Sequence, residues 1–268
     1  MKVAFSNLAW EPEADGAVLD LLAAAGVRGL ELAPAKVFGD LAAATEAQAA
    51  KYRRRVEDKG LAVIAFQAYL FGRPELRLFD DSTRFDFIDF TKRTIDLASR
   101  CGAARIVYGA PKSRDRLGRD PRECEEIALT TFADIGAYAA ASGAVFCLEP
   151  NPPAYGCNFA SNAAEAAALV RQVGSSGFRL HLDTACMALA GDDFNRAIRD
   201  NADILAHFHV SEPNLKDFAH PHLDHKAAAE ALRGAGYAGW VSVEMRPSEH
   251  PTEEIRRAAD FALTTYGD

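Results

Sequence analysis

The chain has 268 residues, a formal net charge of −8 and an apolar fraction of 49%. That length matches one α/β barrel of ~250 residues, and the apolar content can fill a large core. Without a Lys/Arg block, an acidic chain lacks the basic face that phosphate backbones require, so nucleic acid is not an expected partner. A small anionic substrate needs only a few local cations and stays open.

No apolar stretch approaches the ~18 residues of a membrane span, and the start, Met1-Lys-Val-Ala-Phe-Ser6, reads as a strand and not as a leader. No membrane partner is expected. Cys101, Cys124, Cys147, Cys157 and Cys186 are odd in number and show no CxxC spacing, which points to reduced thiols and a cytoplasmic protein.

In chain order, short β-branched or aromatic runs alternate with longer Ala-rich segments. Strands are expected near 2–7, 28–33, 61–67, 104–109, 145–149, 178–183, 204–210 and 240–244. A glycine precedes several of them, at Gly26, Gly60, Gly102, Gly143 and Gly236, where it stops the preceding helix. Eight βα units without a composition break predict one domain over 1–268, a (β/α)8 TIM barrel. A doubly wound open sheet is the alternative. It would usually carry a Gly-rich phosphate loop after the first strand, where this chain has Asn7-Leu-Ala-Trp10. The segments 68–82, 110–121, 150–160 and 211–222 are long and polar or Pro-marked, whereas the αβ joints are tight. Elaboration on that side marks the active-site rim of a barrel.

Four ligand-type residues end four consecutive predicted strands: Glu149, Asp183, His209 and Glu244. Singly, each reads as a solvated or satisfied polar residue. Together at one barrel mouth they would repel unless a cation sits between them, and three carboxylates with one imidazole suit a single Mn²⁺, Mg²⁺, Co²⁺ or Zn²⁺ ion. His181 and His207 lie two residues before Asp183 and His209, hence on the same inward face one layer deeper, either as core packing or as support for a ligand.

Around this centre, Lys112, Arg114 and Arg246 are candidates for binding an anionic group, with Lys36 a weaker one. Asn151 and Asn158 offer hydrogen bonds to hydroxyls. Trp10, Phe71 and Tyr155 offer an apolar wall for a sugar ring. His220, His222 and His225 form a cluster that reads as a helix start or as a second metal site.

Leu148-Glu-Pro-Asn151, His181-Leu-Asp-Thr184, His209-Val-Ser-Glu-Pro213 and Val241-Ser-Val-Glu-Met245 resemble the xylose isomerase-like TIM barrels, in the branch of sugar phosphate isomerases and epimerases. Phe5-Ser-Asn-Leu-Ala-Trp10 and Tyr108-Gly-Ala-Pro-Lys-Ser-Arg114 fit the same branch, and the resemblance spans essentially the whole chain. It implies a carbohydrate substrate, one divalent metal on Glu149, Asp183, His209 and Glu244, and acid/base roles for Glu149 and Glu244. A homodimer is one option for the assembly. Two departures bear on specificity: Cys186 and Leu215 stand where such epimerases commonly carry a His and an Arg that contact substrate. A lyase or dehydratase on the same scaffold is the alternative activity. A non-catalytic sugar binder, or the endonuclease branch with its additional histidines, fits less well.

Overall fold

After the first strand, each strand follows a helix that has been stopped. The five glycines expected as stops all hold positive φ, from 69° at Gly236 to 99° at Gly26. At Gly26 and Gly102 this left-handed turn directly follows helices Asp15–Ala25 and Arg84–Cys101, whose last carbonyls accept from the glycine N–H. The structure, a computed structural model, describes residues 1–247 and 251–267.

The strands are β1 Lys2–Ser6, β2 Gly29–Leu32, β3 Ala62–Phe66, β4 Arg105–Tyr108, β5 Val145–Leu148, β6 Phe178–Asp183, β7 Leu205–Val210 and β8 Trp240–Val243. Each end falls within one residue of its expected position. All pair in parallel in chain order, and β1 closes on β8 through Val3 and Val241. The longer helices between and after them are α1 Asp15–Ala25, α2 Glu46–Glu57, α3 Arg84–Cys101, α4 Pro121–Ala141, α5 Ala163–Val173, α6 His225–Gly234 and α7 Pro251–Tyr266. The protein is a single-domain (β/α)8 barrel, and the open-sheet alternative falls away.

The core has two characters. Between the strands and α4 the contacts are aromatic: Phe132 stacks on Phe178 with centroids 4.8 Å apart, and Tyr108 stacks on Phe146 at 5.5 Å. Full burial of such side chains contributes roughly 1.5–3 kcal/mol each. Inside the barrel, by contrast, Glu31, His181, His207 and His209 are almost wholly excluded from solvent. Barrel interiors are usually filled by branched aliphatic residues. A buried layer of titratable groups there has to be explained by what lies above it.

Candidate active site

The four strand-end residues converge. Register pairs Asp183 with His209 across β6 and β7, and His209 with Ser242 across β7 and β8. Glu149 and Glu244 stand one residue beyond β5 and β8. Their main-chain N–H groups extend the ladders by donating to Tyr108 O and Val210 O. One donor atom from each of Glu149, Asp183 and His209 lies within 4.8 Å of the other two. Glu244 joins them through His209, whose Nδ1 is 3.4 Å from Glu244 Oε2.

Local sequence explains why these side chains are held. Asp183 ends β6 and caps the short helix Thr184–Ala190: Oδ1 accepts from the Cys186 N–H at 2.6 Å, and Oδ2 accepts from the Ser211 hydroxyl at 2.5 Å. An Asp at a strand-to-helix turn is thereby locked into one rotamer. Glu149 lies against Gly109 so closely that a Cβ added there would meet Glu149 Oε2 at 1.7 Å. Only glycine leaves room for that carboxylate.

Beneath the mouth, Glu31 is fully buried and bridges two imidazoles, Oε1 to His207 Nε2 at 3.2 Å and Oε2 to His209 Nε2 at 2.9 Å. Burial opposes its charge, but the two imidazoles outweigh that and hold the carboxyl well below the usual range. His209 is likewise disfavoured as a cation by burial, yet Glu31 and Glu244 lift its pKa well above the ordinary value. With Nε2 on Glu31, His209 turns Nδ1 toward the mouth, where it is buried without hydrogen-bond geometry to any partner. A histidine whose far nitrogen is held by a carboxylate is the usual arrangement of a metal ligand.

Burial, together with the charges of Asp183 and Glu244, pushes Glu149 up to about 8, and Asp183 is raised for the same reasons. Carboxyls crowded in this way, beside a buried imidazole nitrogen that makes no hydrogen bond, fit a divalent cation with oxygen and nitrogen ligands. His181 is fully buried with both nitrogens unpartnered, its Nε2 4.0 Å from Glu149 Oε1 and its ring edge-on to His209 at 4.1 Å. His207 is tied to Glu31, so the deeper layer supports His209 and is more than core packing.

A cleft of about 430 Å³ opens above the carboxylates and is lined by Glu149, Asp183 and Glu244, with Asn151 and Tyr155 from the loop after β5. Asn151 Oδ1 accepts from Arg114, leaving its amide N–H groups beside Cys186 Sγ at 3.6 Å. Gln67, anchored by donation from Nε2 to Ser6 Oγ, also lines the cleft. Both departures from the epimerase pattern, Cys186 and Leu215, form part of its wall.

Several expectations change. Arg114 is not at the mouth. It is fully buried, and its guanidinium donates to the carbonyls of Tyr108, Glu149 and Phe159 and to Asn151 Oδ1, because the turn Pro111–Arg114 points it inward. It is a clamp between strand ends. Trp10 is no wall of the cleft: it is buried, and its indole N–H donates to Asp15 Oδ1 at 3.2 Å. Arg246 is exposed and outside the cleft lining, while its main-chain N–H donates to Leu215 O. Lys112 and Phe71 line a neighbouring cavity. Lys36 is engaged by the carbonyls of Leu8 and Trp10, and Asn158 by Asp115. His225 is buried between Glu212 Oε1 at 2.9 Å and the Tyr266 hydroxyl at 2.8 Å, whereas His220 and His222 are exposed, so this cluster ties a loop to α7.

The family comparison agrees with this geometry. A family model described as "Xylose isomerase-like TIM barrel" matches residues 19–264, and the chain belongs to that family. An L-ribulose 3-epimerase of Mesorhizobium japonicum is 27% identical over 219 residues, 80% of this chain and 72% of that protein. A D-psicose 3-epimerase of Agrobacterium fabrum is 34% identical over 84 residues, 31% of this chain and 29% of that one. The D-psicose 3-epimerase of Clostridium cellulolyticum H10, solved with D-tagatose, superposes with a TM-score of 0.83 at 21% identity over the full length of both chains. The first two relatives are sugar 3-epimerases, and the third, at 21% identity, shares the fold.

Proposed function

We propose that the protein is a divalent-metal-dependent epimerase or isomerase of a small ketone-bearing sugar, working in the cytoplasm through an enediolate. The observation that carries this reading is the pair Glu149 and Glu244 lining one cleft with Asp183 between them and His209 beneath. Glu149, Asp183, His209 and Glu244 would hold the ion, and Nδ1 of His209, which makes no hydrogen bond, would be its nitrogen ligand. When bound, a divalent ion supplies Lewis acidity toward the ketone oxygen and so acidifies the neighbouring C–H.

The proton transfers belong to the two glutamates. In one direction Glu244 takes the proton from the carbon beside the ketone; the C–H electron pair becomes a C=C bond and the carbonyl π pair moves onto the oxygen, giving an enediolate. Glu149, reprotonated from the water of the open cleft, returns one to the opposite face for epimerisation or to the adjacent carbon for isomerisation. The open cleft lets both carboxyls re-equilibrate with water, and the reverse reaction exchanges their roles. Five free, buried cysteines support a reducing compartment.

The reading is tested with free ketoses, L-ribulose and D-psicose among them, each with Mn²⁺, Mg²⁺, Co²⁺ or Zn²⁺. Formation of an epimer or isomer that stops on chelation and resumes on metal return is expected. If no sugar of the panel is converted with any of the four ions, the reading falls.

A further inference from the structure

The cleft does not end at the carboxylates. A second cavity of about 410 Å³ adjoins it on the β3–β4 side, and Ala68, Val107, Gly109 and Pro111 line both. Ala68 has a left-handed φ of 49° at the start of the loop after β3, and Leu70, Phe71 and Pro74 of that loop line the second chamber with Pro111. Phe71 is 80% exposed. With Leu70, Pro74, Val107 and Pro111 it gives the second chamber a mostly apolar lining.

Charge distinguishes what each chamber can take. Among the described residues lining the first, there is no Lys, Arg or His, and three carboxylates face it. In the second, Arg73 is engaged by Asp40 and lies 3.7 Å from Glu75, leaving Lys112, exposed on the rim, without an ion pair among the described lining residues. A phosphate is normally gripped by several charge-assisted donors, which this arrangement does not offer. The first chamber alone already lies within the ~300–1,000 Å³ of small-molecule sites, so a free sugar has room there without reaching the second.

We infer that the enzyme's preferred ligand is an uncharged sugar carrying an apolar or aromatic substituent at the end remote from its ketone, with the sugar over the carboxylates and the substituent against Phe71, Leu70 and Pro111. This rests on the reading of the first chamber as the ketose site. The sugar's reacting end is directed to β5–β8 by Glu149, Asp183 and Glu244, which leaves its other end facing Val107 and Gly109 and the chamber beyond.

The test is calorimetric binding of D-fructose, 6-O-benzyl-D-fructose and D-fructose 6-phosphate to the metal-loaded protein, beside proton exchange into each sugar. The benzyl ether is expected to bind about tenfold or more tightly than D-fructose, as burial of one apolar ring in a matching pocket allows. Phe71→Ser should cut that ratio severalfold. Equal or weaker binding of the benzyl ether, tightest binding of the phosphate, or a ratio unchanged in Phe71→Ser overturns the inference. The wild-type comparison stands without any variant. Tight benzyl-ether binding with no proton exchange into any sugar would instead retain the chamber and remove the epimerase reading.

Discussion

Glu31 is the residue on which the orientation of His209 depends, and it lies 178 residues away in sequence. Replacing it with Gln keeps the shape, removes the charge that holds Nε2, and leaves His209 free to choose either tautomer. Glu31→Gln is expected to weaken metal binding by about 10–100-fold while the protein stays folded, read by metal titration beside circular dichroism. Unchanged affinity would show that the imidazole is oriented by packing alone. Glu149 gives a pH prediction. In the metal-free protein its pKa, about 8, lies above the ~4.3 of an unfolded Glu. Between those values the native state binds more protons than the unfolded one, so this group's stabilising contribution falls as pH rises toward 8. Metal uptake must displace the same proton. Proton release on Mn²⁺ addition should therefore be large near neutral pH and fade above about 8, with affinity rising across that interval.

At the scale of elements, the barrel mouth is held by a clamp and a gap. Arg114 joins the ends of β4 and β5 to the loop carrying Asn151 and Phe159. Arg114→Ala is expected to destabilise the fold by on the order of 3 kcal/mol, since hydrogen bonds from a buried cation to several carbonyls are lost, and Lys cannot replace the fork. A substrate-binding arginine would instead raise KM and leave the melting temperature alone, so thermal unfolding beside kinetics decides. Gly109→Ala is expected to displace Glu149 and abolish turnover at a stability cost of about 1–3 kcal/mol, read by activity and denaturant unfolding.

These two residues also show how far sequence carries. Strand ends and the four convergent residues were legible because glycine stops and β-branched runs are local signals. The direction of Arg114 was not, because a single turn at Pro111–Arg114 decides whether its side chain meets solvent or the carbonyls of two strands. The place of Trp10 is equally illegible, because it is set by a hydrogen bond to Asp15 in the first turn of α1. The role of Glu31 had a readable signal: an acid between Leu30 and Leu32 in a strand points inward, across the barrel from two inward histidines. Pairing them required knowing that β2 and β7 face one another.

For the molecule as a whole, eight strands place one charged centre at the top of an interior that carries its own charged layer. Carboxyls crowded at that centre would make a bound divalent ion part of the fold's stability. Mn²⁺ at about 100 times its Kd should stabilise the protein by about 2.7 kcal/mol, a shift of several degrees in melting temperature that a chelator reverses. No such shift with any of the four ions would argue against a metal centre. On the proposed function Glu149 and Glu244 move a proton on and off one carbon. It is tested most directly by NMR of ketoses incubated in D₂O with the Mn²⁺-loaded protein and with its Glu149→Gln and Glu244→Gln variants. Deuterium at a single carbon beside the ketone, together with formation of the epimer or isomer, is expected with the wild type, and loss of that product with either variant; no deuterium in any ketose, or undiminished product formation by either variant, would overturn this.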